Sequence, residues 1–468
     1  MSNQSAGRNY TLKQIQGLGA RWISESTFMG FIQQYLLEES HVTGKLRRFY
    51  KRLLPPLLTL WLMLLQRLNT DHSCDAAVSE WIGGLATEQA LEVCENSSAY
   101  CQARQRLPWG VVKDSLKHTA RCLREELGEK ALWLGRKVGL LDGSTLRLMA
   151  TPVLHEHYGV SSNQHGENHW PIMRILAAFH LFSGGLEAAV EAPYATGELS
   201  MVAALMGAMD AGWIWVGDMN FGAYRVAQTA QCYLQDVVLR MRWDRVKGWI
   251  GNQRMDSGES RPVVWRGGHN QHAEPGLPLI DIPGRLIYLR VERPGFRPID
   301  LYLFTTLTDP SQYPTQAILD LYGRRWNVEL DLRHLKTTLQ MEELTGKSVD
   351  MVRKELWVGF LAYNLIRGLM GLAALKAQLS PLALSFARSL RRILSAAPRL
   401  LAAQSPEALA QAWDFLLTRV AKCTLPRSTK TRFEPRRVWG KPRVFPTIKG
   451  SREQARAEDL AKLAADKS

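Results

Sequence analysis

Cysteine is scarce in this sequence, and long apolar runs are missing from it. The 468 residues include six cysteines, none in C-x-x-C spacing, which is typical of reduced thiols in a cytosolic protein. The longest apolar run, Leu53 to Leu65, contains Pro55-Pro56 and is too short to cross a bilayer. The first ten residues, MSNQSAGRNY, lack the apolar centre of a signal peptide. We therefore expect a soluble, cytoplasmic protein with no membrane partner.

Acidic residues are outnumbered by basic ones. The 44 Asp and Glu residues face 59 Lys and Arg residues, which leaves a net charge of +15. This excess indicates a polyanionic partner, most simply nucleic acid, although an anionic membrane surface attracts the same charge. The apolar fraction of 46% and charged fraction of 22% are near the globular average, which excludes wholesale disorder. The length predicts two to four domains.

The first part of the chain, to about residue 130, has helical periodicity and two basic clusters. Apolar residues recur every three or four positions from Leu12 to Leu36 and from Leu57 to Leu68. Basic helix starts in a short helical module are typical of a DNA-reading domain, although solvated helix faces of ordinary charge would look the same. The arginines expected to contact DNA are Arg47, Arg48, Arg104 and Arg106.

From residue 137 the pattern alternates between strands and helices. The predicted order is three strands, a helix, a strand, a helix and a strand, which is the order of a ribonuclease H-like core in an α/β fold. These elements are Val138–Met149, Pro171–Phe182, Leu186–Ala192, Leu199–Met209, Trp213–Asp218, Tyr224–Tyr233 and Val237–Trp243.

The rest of the chain is predicted as an insertion followed by helices. Residues 244–310 are rich in Gly, Pro and Trp but keep short β-like runs, which favours a β-rich insertion over a linker. A long helix is expected from Pro314 to about Glu343, and helical patterning continues from Trp357 to Leu416. The basic stretch from Arg419 to Lys449 suits a segment that tracks a nucleic-acid backbone, or else a solvated tail.

Two aspartates lie in or at the end of apolar strands. Asp142 interrupts VGLLDGSTL, and Asp218 ends WIWVGD, at the carboxyl edge where parallel strands present catalytic groups. An ionised carboxylate in such a place is costly unless a cation or several donors compensate it. Each has a bland alternative: Asp142-Gly143 is also a good hairpin turn, and Asp218 is also an ordinary strand-end or capping residue.

A third carboxylate, Glu329, belongs to a predicted helix with an unusual polar stripe. Tyr322, Arg325, Glu329 and Lys336 are separated by three, four and seven residues, which on a regular helix places them within roughly 60° of one another. The alternative is ion pairing among Arg325, Glu329 and Arg333 on a solvated face. If the three carboxylates converge at the sheet edge, oxygen ligands of this kind suit two Mg²⁺ or Mn²⁺ ions that promote phosphodiester displacement.

These residues carry a specific resemblance. Asp142 in LLDGSTL, Asp218 in VGDMNFG and the Y-x₂-R-x₃-E-x₆-K spacing from Tyr322 to Lys336 resemble the DDE transposases of bacterial insertion sequences, in particular the insertion-sequence-four group with its YREK signature. The resemblance implies that Asp142, Asp218 and Glu329 ligate two Mg²⁺ or Mn²⁺ ions. It also implies that Tyr322, Arg325 and Lys336 bind phosphates at the transposon end.

The resemblance further implies the reaction and the domain plan. Such enzymes excise an element by nicking, forming a hairpin on its end and opening it, and then join the 3′-OH ends to target DNA. The expected partners are therefore the terminal inverted repeats, target DNA and a second copy of the chain in a homodimer on paired ends, in a bacterial, nucleoid-associated setting. The expected domains are a helical N-terminal DNA-binding domain (1–130), a catalytic core (131–243 and 311–350), a β-rich insertion (244–310) and a helical C-terminal region with a basic tail (351–468).

Three questions stay open at this point. The family stacks an aromatic residue of the insertion on a flipped base, and here Trp249, Trp265, Tyr302 and Phe304 are the candidates. Four histidines between residues 155 and 169 could suggest zinc, but no cysteine is near them and a polar loop or plain surface histidines are favoured. Finally, a non-catalytic DNA-binding protein and a structure-selective nuclease on the same core are alternative functions.

Overall fold

The computed structural model describes residues 54, 56–69, 71–83, 96–163, 166–268, 272–292, 298–401, 405–425 and 450–465. The chain divides into two compact units, one formed by Met1–Trp213 and Trp326–Thr424 and the other by Ile214–Arg325 and Leu425–Ser468. The predicted helical segment from Leu12 to Leu36, the predicted DNA contacts Arg47 and Arg48, and most of the basic stretch from 419 to 449 lie outside the described residues.

Helices form much of the first unit, as predicted for both ends of the chain. The longest, α11, is N-capped by Ser348, whose hydroxyl accepts a hydrogen bond from the amide of Met351, and it packs against α1, α4, α12 and α13. It is apolar and long enough to cross a membrane, but 89% of its apolar window is buried, which is typical of a core helix. The helices are α1 (Pro56–Leu68), α2 (Cys74–Gly83), α3 (Ser98–Arg106), α4 (Trp109–Leu127), α11 (Val349–Lys376), α12 (Phe386–Leu401) and α13 (Pro406–Ala421).

The sheet of the first unit is built around one long strand. β3 (Gly166–His180) pairs antiparallel with β1 (Lys137–Leu148), with β4 (Leu186–Pro193) and, near its start, with β2 (Val160–Asn163). The short β10 (Glu343–Leu344) runs parallel to β1. The predicted strands β1, β3 and β4 are thus confirmed, including the turn of Ser183, Gly184 and Gly185 between β3 and β4.

Two parts of the first unit differ from the prediction. The described part of the histidine-rich segment is largely regular structure and not a loop: His155 and His157 lie on α5 (Pro152–Tyr158), and His169 lies on β3, while His165 lies outside the described residues. Thr151 caps α5 through its side chain and Pro152 occupies its first position. This pair of residues is typical of a helix start, but the prediction considered only the histidines. The predicted helix from Leu199 to Met209 is shorter, with a 3₁₀ turn at Glu198–Met201 followed by α6 (Val202–Met206).

The second unit continues the predicted strand–helix alternation. β5 (Trp213–Gly217) is buried along its whole length and runs parallel to β6 (Asp236–Arg240), with α7 (Tyr224–Cys232) between them in the chain. Continuous burial of a parallel strand explains its unbroken apolar sequence. Trp243, predicted as the end of the second strand, instead begins α8 (Trp243–Ile250). From β1 to β6 the order of elements is that of a ribonuclease H-like core.

The β-rich insertion extends a sheet that is already present. β9 (Ile299–Thr305) pairs antiparallel with β6, β8 (Ile282–Val291) pairs with β9, and β7 (Ser260–Trp265) pairs with β8. The second unit therefore has the strand order β5-β6-β9-β8-β7. The helix α14 (Arg452–Ala465) belongs to the same unit.

The long helix predicted from Pro314 to Glu343 is not uniform. It begins at Thr315, directly after Pro314, as α9 (Thr315–Gly323) and passes through a 3₁₀ turn (Arg324–Trp326) into α10 (Asn327–Arg333). It ends in a π-helical turn (His334–Thr338). A common face for residues this far apart requires regular winding at 100° per residue, which 3₁₀ and π turns both break. The predicted common face of Tyr322 and Lys336 therefore cannot be derived from their spacing.

Candidate active site

Asp142 occupies the middle of a strand. It lies opposite Ala177 of β3, and Gly143 lies opposite Leu176, so the alternative of an Asp-Gly hairpin turn is wrong. The side chain is half-buried, and its Oδ1 accepts a hydrogen bond from the Gly143 amide at 2.9 Å. Asp142 therefore places a carboxylate within an apolar strand, at a point where the chain does not reverse direction.

A neighbouring side chain occupies the space beside Gly143. A Cβ at this position would lie 2.5 Å from Cδ of Glu198, whose Oε1 is 3.2 Å from Nη1 of Arg174 on β3. Successive strand residues point to opposite faces, so this ion pair lies behind the sheet from Asp142. Gly143, which suggested a turn in the sequence, therefore lies where the Glu198–Arg174 ion pair packs against the strand.

The face that carries Asp142 is covered by helices of the same unit. Leu140 lies opposite Phe179, whose ring meets that of Tyr363 on α11 with centroids 5.8 Å apart. Residues two apart on a strand share a face, so Asp142 and Leu140 point to the side of α11. Helix α10 packs against β1 in this unit.

Glu329 lies on α10 with its side chain exposed. The helix is held by its opposite side, where Val328, Asp331 and Leu332 are buried. Asp142 and Glu329 thus belong to two elements, β1 and α10, that contact each other within one unit. Lys336 follows in the π-helical turn and is half-buried.

Asp218 follows directly on the last residue of β5, at the carboxyl end of a parallel strand. Its Oδ1 accepts a hydrogen bond from the amide of Asn220 at 2.8 Å, which forms a local turn. Gly222 closes the loop against β6, because an added Cβ would collide with the carbonyl oxygen of Arg240. Asp218 therefore lies in a loop of defined conformation, and this loop belongs to the second unit.

Tyr322 and Arg325 are both buried in the second unit. Burial raises the pKa of the Tyr322 phenol, the nearby guanidinium groups of Arg325 and Arg240 oppose the rise, and Asp218 adds to it. The phenol is also hydrogen-bonded to Arg325. The second unit therefore brings Asp218, Arg325 and Arg240 within electrostatic reach of the Tyr322 phenol. Arg240 was not predicted from the sequence, since a lone arginine at a strand end carries no signal.

An open groove of about 700 Å³ lies beside this group. Met219, Arg240 and Arg242 contribute to its wall together with Trp243 and Tyr302, whose rings are 5.4 Å apart. Trp243 is 50% exposed. The other aromatic candidates pack inwards: Trp265 and Phe304 are buried, and Trp249 contacts both of them. Trp243 was missed because its segment was predicted as strand.

Two of the arginines predicted to contact DNA, Arg104 and Arg106, have different surroundings. Arg104 donates a hydrogen bond to Sγ of Cys74 at 2.6 Å and lies over the ring of Tyr100, so its guanidinium takes part in helix packing. Arg106 is exposed at the end of α3. The last turn of α3 is fixed by Lys354 of α11, whose Nζ donates to the carbonyls of Arg104 and Gln105 at 3.1 and 2.8 Å.

The candidate metal ligands are all carboxylates with access to solvent. Oxygen-only donors of this type fit Mg²⁺ or Mn²⁺. Among the residues that the structure describes, no three His, Cys, Asp or Glu side chains are gathered into a cluster that could hold a metal ion.

Comparisons with known proteins agree with this fold. A family model described as the transposase DDE domain matches residues 133–365, a range that includes Asp142, Asp218 and Glu329. The chain is 26% identical over 280 residues to the transposase InsG for insertion sequence element IS4 of Escherichia coli (strain K12), a match that covers 58% of this chain and 60% of InsG. It is 30% identical over 169 residues to the putative transposase InsZ of the same organism, covering 36% and 53%.

A solved structure is also similar at a distance. The piggyBac transposase, in a synaptic complex with hairpin DNA, aligns with a TM-score of 0.42 and 9% identity over 84% of this chain and 85% of that one. The matches to the two curated relatives span between about half and three fifths of their length.

The order of strands and helices from β1 to β6 is that of the ribonuclease H-like class. Within that class, the chain belongs to the DDE transposase family and is of the insertion-sequence-four type.

Proposed function

We propose that this protein is a DNA transposase that cuts DNA at the ends of its own mobile element and joins the 3′-OH ends to target DNA. The observation that carries the proposal is the position of Asp142. It is held in the middle of β1, against which the helix bearing Glu329 packs, inside the span that matches the DDE domain. The net charge of +15 supports DNA as the partner.

The catalytic groups of this proposal are Asp142, Asp218 and Glu329. Their carboxylates would hold two Mg²⁺ or Mn²⁺ ions, which when bound supply charge stabilisation for in-line phosphodiester displacement. The protein's part is to keep three acidic side chains in fixed places, one on a strand, one on a strand-end loop and one on a helix. The described contacts of Asp142 with Gly143 and of Asp218 with Asn220 support such fixed places.

Tyr322, Arg325 and Lys336 would bind phosphates of the element end. Support comes from the second unit, where Arg325 and Arg240 both lie near enough to the Tyr322 phenol to lower its pKa against the effect of burial. Arginine is suited to phosphate because its planar group offers several donors at once. We add Arg240 to this set, since it also borders the groove beside Asp218.

The groove formed by Trp243 and Tyr302 would take a base turned out of the duplex. Of the four aromatic residues predicted to stack on a base, Trp265 and Phe304 are buried and Trp249 packs on them. Tyr302, which lines the groove, is the fourth. An exposed aromatic face flanked by arginines suits a base and its phosphate. A hairpin route during excision is the reaction in which such a pocket is used.

The remaining parts of the proposal concern assembly. The N-terminal helical domain, residues 1–130, would bind the terminal inverted repeats through Arg47, Arg48, Arg104 and Arg106. Residues 131–243 and 311–350 would form the catalytic core, 244–310 the insertion, and 351–468 the helical region with its basic tail. Since an element has two ends, a homodimer on paired ends is expected, acting on the nucleoid of a bacterial cytoplasm.

An assay on the DNA that flanks the gene tests the function. The substrate carries both flanks, including their inverted repeats, and the reaction contains Mg²⁺ and a target plasmid. A transposase yields excised element and joined product, and Asp218→Ala yields neither. Cleavage that survives this substitution contradicts the proposed active site. Cleavage without joining indicates a nuclease on the same core, and binding without cleavage indicates a DNA-binding protein only.

A further inference from the structure

A buried ion pair lies beneath the helix that carries Glu329. Asp331 of α10 and Arg367 of α11 form a salt bridge in which the two side chains are 3% and 4% exposed. Burying two charges is costly, and hydrophobic residues of similar volume often stabilise a core as well or better. The pair therefore calls for a reason other than stability alone.

The pair is part of a network that reaches the sheet. The Tyr363 hydroxyl on α11 accepts a hydrogen bond from Arg367 Nε at 2.9 Å and lies 3.1 Å from the carboxylate of Asp331. It donates to the carbonyl of Gly184, in the β3–β4 turn, at 2.7 Å. Three elements, α10, α11 and the turn, thus share one set of hydrogen bonds.

The β3–β4 turn is shaped to admit the guanidinium. Gly184 has φ +65°, and a Cβ there would lie 2.9 Å from Cζ of Arg367. The same guanidinium lies over the rings of Tyr363 and Phe386, 5.3 Å from each centroid. Arg367 is therefore enclosed on several sides, and its position is determined independently of Asp331.

Helix α10 needs such an anchor because its neighbours along the chain do not orient it. It has seven residues, with a 3₁₀ turn before it and a π-helical turn after it. A change of winding at each end leaves the rotation of the helix about its axis open, and apolar contacts alone are non-directional. A hydrogen-bonded carboxylate is directional.

We propose that the Asp331–Arg367 pair is a positioning device that sets the rotation of α10 and thereby the direction of the Glu329 carboxylate. Asp331 and Glu329 are two residues apart and lie about 200° apart around the helix, so the buried group and the exposed group turn together. The relevance to catalysis rests on the proposed function of Glu329. The claim that the pair fixes the rotation of α10 does not depend on the proposed function.

Two variants and a control test this proposal. Asp331→Asn removes one charge and leaves Arg367 buried without its partner. The double substitution Asp331→Leu with Arg367→Met removes both charges, keeps most of the volume and is expected to fold even if the first variant does not. The control is Glu187→Gln, which disrupts another buried pair of the same unit, between Glu187 of β4 and Arg124 of α4.

The first readout is amide hydrogen exchange of residues 327–333 in the full-length protein, followed by mass spectrometry. The double variant is expected to exchange at least tenfold faster in this segment than wild type, while Glu187→Gln leaves the segment unchanged. Equal exchange in wild type and the double variant overturns the proposal, whatever the protein does to DNA.

The second readout is the Mg²⁺ dependence of cleavage with the flanking DNA. The double variant is expected to bind this DNA within twofold of wild type but to need at least fivefold more Mg²⁺ for half-maximal cleavage, and Glu187→Gln to need the wild-type concentration. Faster exchange with an unchanged Mg²⁺ requirement shows a structural role only and overturns the positioning of Glu329. Absence of cleavage by wild type itself counts against the proposed function, and the exchange result then decides the positioning on its own.

Discussion

Glu329 and Asp331 lie on opposite sides of one seven-residue helix, and only Asp331 is buried. A helix that presents one acid outwards and fixes another inwards has a defined orientation. The two residues look alike in the sequence, yet their surroundings differ completely. Glu329 is thus the candidate metal ligand, and Asp331 is the group that holds the helix in place.

The loop after β5 should tolerate no side chain at Gly222. In Gly222→Ala the methyl group meets the backbone carbonyl of Arg240, which cannot move without disturbing β6, so we expect a loss of about 2–4 kcal/mol in the free energy of unfolding. Urea denaturation measures this loss. Gly143→Ala is the control, because the atoms in its way end the flexible side chain of Glu198. We expect this variant to lose less than about 1 kcal/mol. Equal losses in the two variants would show that the Asp218 loop is not tightly packed.

The Tyr322 hydroxyl should matter more for DNA cleavage than for folding. In Tyr322→Phe the hydrogen bond to Arg325 is lost, and with it a donor for phosphate. A hydrogen bond to a charged group contributes about 1.5–3 kcal/mol, so cleavage of the flanking DNA should fall by roughly 10–100-fold. The control is Tyr313→Phe, which removes a hydroxyl from another buried tyrosine of the second unit. If both variants cleave equally well, the phenol has no role in binding phosphate.

Trp243 should contact a displaced base. Flanking DNA in which 2-aminopurine replaces bases near the cleavage site gains fluorescence when such a base unstacks, and loses it when the base stacks on an aromatic ring. We expect Trp243→Ala to raise the fluorescence of bound DNA and to weaken binding by roughly 1–3 kcal/mol, the value of one stacked base. Trp170→Ala, which truncates a tryptophan of similar exposure on β3, should change neither. Identical fluorescence with both variants argues against the groove as a base site.

His334 should make the protein less stable in mild acid. Its ring stacks on Phe386 at 4.7 Å, and burial lowers its pKa to about 4, with Arg367 and Arg333 adding to the shift. Below about pH 6.5 the unfolded chain binds a proton that the folded chain does not, so the free energy of unfolding falls as the pH falls from about 6.5 to about 4. His334→Phe keeps the stacking and removes this proton.

Urea denaturation at pH 7 and pH 5 measures the difference. Relative to wild type, His334→Phe should gain about 2 kcal/mol in unfolding free energy on going from pH 7 to pH 5. The groups with other shifted pKa values, such as His180 and Glu187, are present in both proteins and cancel. A constant difference between the two proteins at both pH values contradicts the assignment.

The order of elements in the core was predictable, because strand and helix periodicities are local. The apolar run from Trp213 predicts β5 directly, since a strand buried on both faces needs no polar alternation. The insertion strands were also predictable as strands. The pairing of β9 with β6 was not predictable, because register between distant segments depends on tertiary contacts.

The site was predictable in its residues more than in its geometry. Aspartates in apolar strands are visible in the sequence, whereas the breaks in the helix from Thr315 to Thr338 are not, since the residues at the 3₁₀ and π turns are ordinary helix formers. The inward-facing Asp331 was missed because its partner, Arg367, is 36 residues away. The groove at Trp243 was missed because a strand was expected to continue through it.

The central claim is that Asp142, Asp218 and Glu329 act together on divalent metal ions. The most direct test is a crystal structure of the full-length protein with cleaved flanking DNA and Mn²⁺, in which anomalous scattering locates the ions. We predict two Mn²⁺ ions at the cleaved phosphate, with oxygen ligands from all three carboxylates. Ions at the phosphate that lack a ligand from any one of the three, in a complex that has cut its DNA, would contradict the claim.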